Sequence, residues 1–400
     1  MTEDPSRTAP SATRVPSSPT DEMQLHWNRL VRRRSFLKGL GMAGAAGAAL
    51  PVGVLTATAA SAADGALTKG DAAVLRFLAA AEIIESDLWV QYAELGGDGS
   101  ENPAFGGNAA YTLALQNLDG DMPQYITDNT DDELSHAAFI NAYLKAHGAA
   151  PVNLDAFRTL PSTKATGARQ IGRLTNLQHL DVDTSWYTRY RSDENPDLGD
   201  AFAQAITITN EPAIPVSDAD TPPGQTQPNP PPAGGPQARM QAIANTAGSH
   251  FAMIEQGGSS LYTTMALKVT SLEVLRIVVS IGGTEVNHYA IWHDKVGNAV
   301  SGTLAGVTDP ETGLHFPDFN TLPNQELHQT NLIMPEPCDF LSEGFPNCSI
   351  IRPSTVQNSG AMAAVRALTA DQLFKGQSDR FFDTITALAE AADEAQRGEN

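Results

Sequence analysis

Two helical segments of this 400-residue chain carry an acid three residues before a histidine: Glu133 and His136 in "DELSHAAF", and Glu285 and His288 in "EVNHYAIWHD". At that spacing both side chains leave one side of a helix, so a carboxylate and an imidazole can hold the same metal ion. With 46 acids and 9 histidines, chance supplies about one such match. Placement therefore matters more than number, and each pair falls on the second helix of a helical hairpin. A carboxylate-bridged dinuclear site takes Glu-x-x-His from two helices and one further Glu from each of the other two. The third long helix offers Glu255 in "FAMIEQGGSSLY", and the first offers Glu82 and Glu85 in "AAAEIIESDLWVQY". Glu85 is the preferred ligand, because Tyr92 follows it by seven residues as Tyr262 follows Glu255, two turns along one face; Glu82, a single turn away, is the alternative. Four glutamates facing one interior need compensation, and two divalent ions with neutral histidines match them. Hard carboxylates with imidazole suit iron or manganese, with zinc also admissible. Tyr92 and Tyr262 are candidates to back the ligands, whereas His179, His250 and His293 have no carboxylate at ligand spacing and read as structural or surface residues.

The elements that must position these groups are helices. A long helix is expected over 68–95, apolar throughout and stopped by Gly96-Gly97, followed by a shorter one near 109–118. The next starts where Asn129 or Thr130 can cap it and ends at Lys145, His147 and Gly148, with Pro151 beyond. Residues 165–182 read as a further helix leading into something extended. From Glu211 to Gln237 the composition turns to Pro, Gly, Asp and Thr, with "PNPPPAGGP" at its centre, an exposed excursion. Two more long helices follow, joined by a tight turn near Ser271; their glycine pairs, Gly257-Gly258 and Gly282-Gly283, imply close packing or a kink. The last hundred residues are loop-rich and end in an apolar-periodic helix near 379–396, an appendage wrapping the bundle. The fold class is thus all-α: a four-helix bundle over 63–300 with one long Pro-rich crossover at 211–237, and a C-terminal extension over 301–400.

Residues 1–62 stand apart. In "VRRRSFLKGLGMAGAAGAALPVGVL" the residues Arg33, Arg34, Phe36, Leu37 and Lys38 precede a weakly apolar, Ala/Gly-rich run. This reads as a twin-arginine export signal cleaved near Ala62, after Ala60-Ser61. Pro51 and the small residues make it a poor membrane span. The partner implied is the twin-arginine machinery, and the destination is periplasmic or extracellular. Removing this segment, with its seven Arg/Lys and four acids, takes the formal charge from −21 to −24, which excludes nucleic acid as a partner and attracts cations. Outside the cytoplasm, Cys338 and Cys348 are expected to form a disulfide.

The order Glu, Glu-x-x-His, Glu, Glu-x-x-His from Glu85 to His288 resembles the ferritin-like superfamily. "AAAEIIESDLW" with "DELSHAAFINAYLKAHG" is similar to its exported, desiccation-related branch. The resemblance covers about two-thirds of the chain after residue 62. It implies a bundle like those of rubrerythrin and ferritin, whose dinuclear centres react with oxygen or peroxide. It also implies Glu133 and Glu285 as bridging ligands, Glu85 and Glu255 as terminal ones, and His136 and His288 as holders of one metal each. The longer crossover and the extra tail depart from that pattern and argue against ferritin-like cage assembly; a smaller homo-oligomer stays open. The expectation is a di-iron or di-manganese protein acting on oxygen, peroxide or ferrous iron in oxidative or desiccation stress. The rival from another class is a structural, stress-protective bundle that binds partners and holds no functional metal.

Overall fold

The computed structural model describes residues 67–186, 204–220, 236–296, 306–318, 344 and 359–398. Residues 1–62, where an export signal is expected, the proline cluster at its densest (221–235) and both cysteines lie outside the described residues. So does the whole of the compact unit Met1–Ser61, and all that follows concerns the unit Ala62–Asn400. Among the described residues there are seven α-helices and two short strands. No described helix is long and apolar enough to cross a membrane.

Helix α1 (Lys69–Gly96) begins where the Thr68 hydroxyl accepts a hydrogen bond from the Asp71 amide at 3.0 Å, and it stops at Gly97. Its buried residues lie on nearly every side, the pattern of a helix enclosed by neighbours rather than laid on a surface. A short α2 (Ala109–Gln116) leads into α3 (Met122–Ala146). After the long crossover, whose residues 211–215 are buried where the strand Ile208–Glu211 ends rather than exposed as expected, come α4 (Pro236–Ala266) and α5 (Leu272–Val296). The turn between these two is held by Asp71, whose carboxylate accepts from the Thr270 and Ser271 amides at 2.7 and 3.0 Å.

Side-chain pairing defines how the four long helices run. Thr130 Oγ1 reaches the Trp89 carbonyl, and His136 faces Glu82, so α3 runs antiparallel to α1. Trp292 donates to Asn129 while His136 faces Glu285, so α5 runs antiparallel to α3. The contacts Tyr92–His250 and Glu82–Tyr262 make α4 antiparallel to α1. Helices α3 and α4 therefore point the same way, and only a long crossover can connect them. One level of the bundle is filled by Trp89, Tyr92, Phe251 and Trp292, with ring centroids 4.6–5.8 Å apart. Burying rings of this size contributes roughly 4 kcal/mol each as an upper bound, and this apolar layer holds the helices in register beside the polar one described below.

Residues 165–182 are not helical, contrary to the expectation from sequence. Gly167 adopts φ +102° and lies against Gly107, and at Gly172 a Cβ would collide with the Arg158 carbonyl. Glu94 on α1 captures Arg169 at 2.7 Å and the fully buried Arg173 at 2.5 Å, while Asp87 accepts from the Leu174 and Thr175 amides. These anchors draw the segment over α1 in an irregular path that a helix could not follow. It ends in strand β1 (Leu180–Val182), paired antiparallel with β2 (Ile208–Glu211).

The C-terminal extension holds α7 (Asp379–Glu394), as the apolar period indicated, and also α6 (Ala361–Ala370), which the loop-rich composition concealed. Phe381, Ile385, Leu388, Ala389 and Ala392 are buried along one face of α7, which packs on α1. Asp393 near its end caps α6 by accepting from the Ala361 and Met362 amides, both at 2.9 Å.

Candidate metal centre

Each long helix delivers a carboxylate to one level of the bundle. Two groups of possible ligand atoms result: Glu82, Glu133, His136 and Glu285, and Glu133, Glu255, Glu285 and His288. Within each group the atoms lie within 4.8 Å of one another, and every residue is buried. His136 Nδ1 stands 3.4 Å from Glu82, 3.2 Å from Glu133 and 3.4 Å from Glu285. His288 Nδ1 stands 3.1 Å from Glu133 and 3.2 Å from Glu255. Ligand atoms bound at about 2.1 Å to one ion are roughly 3.0 to 3.4 Å apart at octahedral or tetrahedral angles. The observed spacings match. Glu133 and Glu285 belong to both groups, which is the placement a pair of bridging carboxylates requires.

On α1 the structure brings Glu82 into the cluster and leaves Glu85 outside both groups. The tyrosine spacing that favoured Glu85 is not a guide to the site, since the Tyr92 hydroxyl pairs with His250 Nδ1 at 2.7 Å, away from the carboxylates. What selects Glu82 is the antiparallel level. With Thr130 beside Trp89, the α1 residue level with His136 is about residue 83, from the equal rise of the two helices. Tyr262 does reach the site, and its hydroxyl donates to Glu82. Of the other histidines, His250 and His293 are buried among aromatic rings and His179 is exposed, all outside the cluster.

Three contributors were not assigned to the site from sequence. Asn129, expected as a cap, lies inside α3 because that helix begins seven residues earlier at Met122. Its amide donates to Glu133 and Glu255, both at 2.9 Å, and its carbonyl accepts from Trp292 Nε1 at 2.8 Å. The signal available was its position one turn before Glu133 on the same face. Asp132 lies 3.1 Å from His288 Nε2 and so turns Nδ1 of that ring toward the cluster. Gly258 makes room for Glu285: a Cβ there would stand 2.4 Å from Glu285 Oε2. Gly282 likewise accommodates Tyr262, whereas nothing crowds Gly283, so close packing explains one glycine of that pair.

The electrostatics are those of a site built for cations. Burial, then the charges of Glu133, Glu255, Glu285 and Glu82, pushes Glu85 well above the usual carboxylate range. Burial and the Glu133 charge do the same to Glu285. Burial raises Glu82 to about 7 despite His136 beside it, and it raises Glu255 despite His288. Burial alone would raise Glu133 too, but His136 and His288 hold it well below its ordinary value. Both imidazoles are raised although burial opposes it, because Glu82 and Glu133 surround His136, and Glu255, Asp132 and Glu133 surround His288. Without metal, protons must therefore supply the positive charge. Glu285 Oε2 is buried with no hydrogen-bond partner, and Glu82 Oε2 and Glu285 Oε1 share only the His136 imidazole at 3.4 Å; acceptors so poorly satisfied are costly unless a cation meets them. The donor set, hard carboxylates with two imidazoles, fits two divalent ions.

A family model described as a ferritin-like domain matches residues 70–298. No curated relative and no solved structure matches the chain.

Proposed function

The chain belongs to the ferritin-like domain family, and on that premise we propose that it is an exported protein with a dinuclear iron or manganese centre that reacts with oxygen, peroxide or ferrous iron. The observation that carries this reading is the pair of overlapping four-residue groups sharing Glu133 and Glu285. Glu82 and His136 would hold one ion, Glu255 and His288 the other, with Glu133 and Glu285 spanning both. When bound, such a pair supplies Lewis acidity and one-electron redox capacity. The chain's own residues do the rest. Asn129 fixes the orientations of Glu133 and Glu255, and Asp132 sets the ring of His288. In the metal-free protein burial raises Glu82 to about 7, with the Tyr262 hydroxyl on its Oε1, so Glu82 must give up its proton before it can hold an ion. The Trp89, Phe251 and Trp292 layer excludes water from one side. Export by the twin-arginine route belongs to the same proposal, since a folded passenger can be metal-loaded before it leaves.

Elemental mass spectrometry on protein purified without chelators, beside a Glu133→Ala, Glu285→Ala double variant, tests the centre. About two iron or manganese per chain, lost in the variant, is the expected result, followed by turnover assays with peroxide and ferrous iron. Substoichiometric metal indifferent to the substitutions would leave the stress-protective bundle without a functional metal. N-terminal sequencing of the exported protein should begin near Ala63.

A further inference from the structure

A cavity of about 80 Å³ lies between α1, α4 and the C-terminal helices. Its wall is mostly apolar: Ile84 from α1, Met253 and Leu261 from α4, Ala364 and Phe374 from the C-terminal extension. The extension lies beyond residue 298, where the ferritin-like match ends, so eight of the twenty residues of this wall are an addition to the family domain. Glu85 is the one carboxylate that α1 presents to the cavity, and its buried Oε1 has no hydrogen-bond partner. Its neighbour in the wall, Gly258, abuts Glu285, so the inner end of the cavity adjoins the metal ligands.

We propose that this cavity is a binding site for a small uncharged organic molecule with a hydrocarbon body and one hydroxyl-type group that hydrogen-bonds to Glu85. An apolar wall disfavours any charged ligand, because the charge would lose its hydration without replacement. Anions are disfavoured further, since Glu85, Asp183 and Asp371 all contribute to the lining. The volume is about half that of the ~150 Å³ apolar cavity that takes up benzene, so the enclosed part accommodates about three or four carbons. The site goes beyond the metal reading and does not depend on it, because none of its walls belongs to the two ligand groups.

The test uses the purified protein with ¹³C-labelled Ile, Leu and Met methyl groups, titrated with straight-chain primary alcohols from ethanol to hexanol and with butyrate, in metal-free and metal-loaded samples. The expected result is saturable, single-site shifts centred on Ile84, Met253 and Leu261. Affinity should tighten about fourfold per methylene up to butanol and then level off, and butyrate should bind at least tenfold more weakly. Ala364→Phe, which fills the cavity, should abolish the shifts. Glu85→Leu, which keeps the shape, should weaken butanol about fivefold, the range of one hydrogen bond; it covers the case in which the larger residue disturbs folding. Non-saturable shifts, shifts centred elsewhere, butyrate binding as tightly as butanol, or indifference to both substitutions would overturn the proposal. A protein that holds no metal but binds alcohols in this way would sink the dinuclear reading and leave the cavity site standing.

Discussion

Gly258→Ala separates the metal role of Glu285 from its structural role. Gly258 sits inside α4, where alanine favours a helix over glycine by about 0.8 to 1 kcal/mol. The added Cβ would meet Glu285 Oε2 at 2.4 Å, Cδ at 3.3 Å and Cγ at 3.6 Å. Only the outer oxygen is in serious conflict, and it is the far end of a flexible side chain. The carboxylate must move by about 1 Å to restore an ordinary contact of roughly 3.4 Å. In the metal-free protein that movement is cheap, so urea unfolding should show stability unchanged or raised by up to about 1 kcal/mol. In the metal-loaded protein the same movement carries a shared ligand away from both ions, and at least a hundredfold loss of metal affinity is expected, the upper end of what misplaced supporting groups cost. At saturating metal this removes about 2.7 kcal/mol of metal-dependent stabilisation. The assay is a pair of urea titrations with and without manganese, together with metal stoichiometry. Wild-type stoichiometry and an undiminished manganese-dependent shift in Gly258→Ala would refute Glu285 as a shared ligand.

Asn129→Ala removes two donors to buried carboxylates and strands the Trp292 indole N–H, so metal-free stability should fall by about 3 kcal/mol, read from urea midpoints. Metal-free stability should also fall as pH rises from about 5 to 8. Glu82, raised to about 7, keeps in the folded state a proton that the unfolded chain loses near 4.5, which amounts to roughly 3 kcal/mol lost between those values. His136 and His288, raised by their carboxylates, contribute stability fully present below about 6.5 and lost as pH rises through their folded values. Glu133 is lowered, so its contribution is complete throughout this window and fades only in strong acid. Urea midpoints across the range check the sign. Because the same protons must leave before metal binds, manganese affinity should instead rise with pH, and calorimetry in buffers of different ionisation enthalpy should register proton release.

Much of the helical frame was legible in the chain because it depends on local chemistry. The Gly-Gly stop ends α1 within a residue of the expected place, the turn at Ser271 separates α4 from α5, and the period of Phe381, Ile385 and Leu388 marks α7. Glu133, His136, Glu285 and His288 could be singled out because i, i+3 geometry is a property of one helix, and Glu255 because it is the carboxylate that the middle of the third long helix offers. Other features were decided only by tertiary packing. Glu82 and Glu85 lie one turn apart on similar faces, and only the level at which α1 passes α3 places Glu82 beside His136. Asn129 is a good cap by residue type, yet α3 extends past it because Pro123 opens the helix earlier and the Asn129 amide finds two carboxylates to serve. The segment 165–182 gave up its helical propensity, worth tenths of a kcal/mol per residue, to the stronger pull of Glu94 and Asp87 on Arg173 and the Thr175 amide. Local propensity reads out along the chain. The meeting of four helices at one depth depends on distances between residues as much as 200 positions apart, and those distances are set by the packing of the folded bundle.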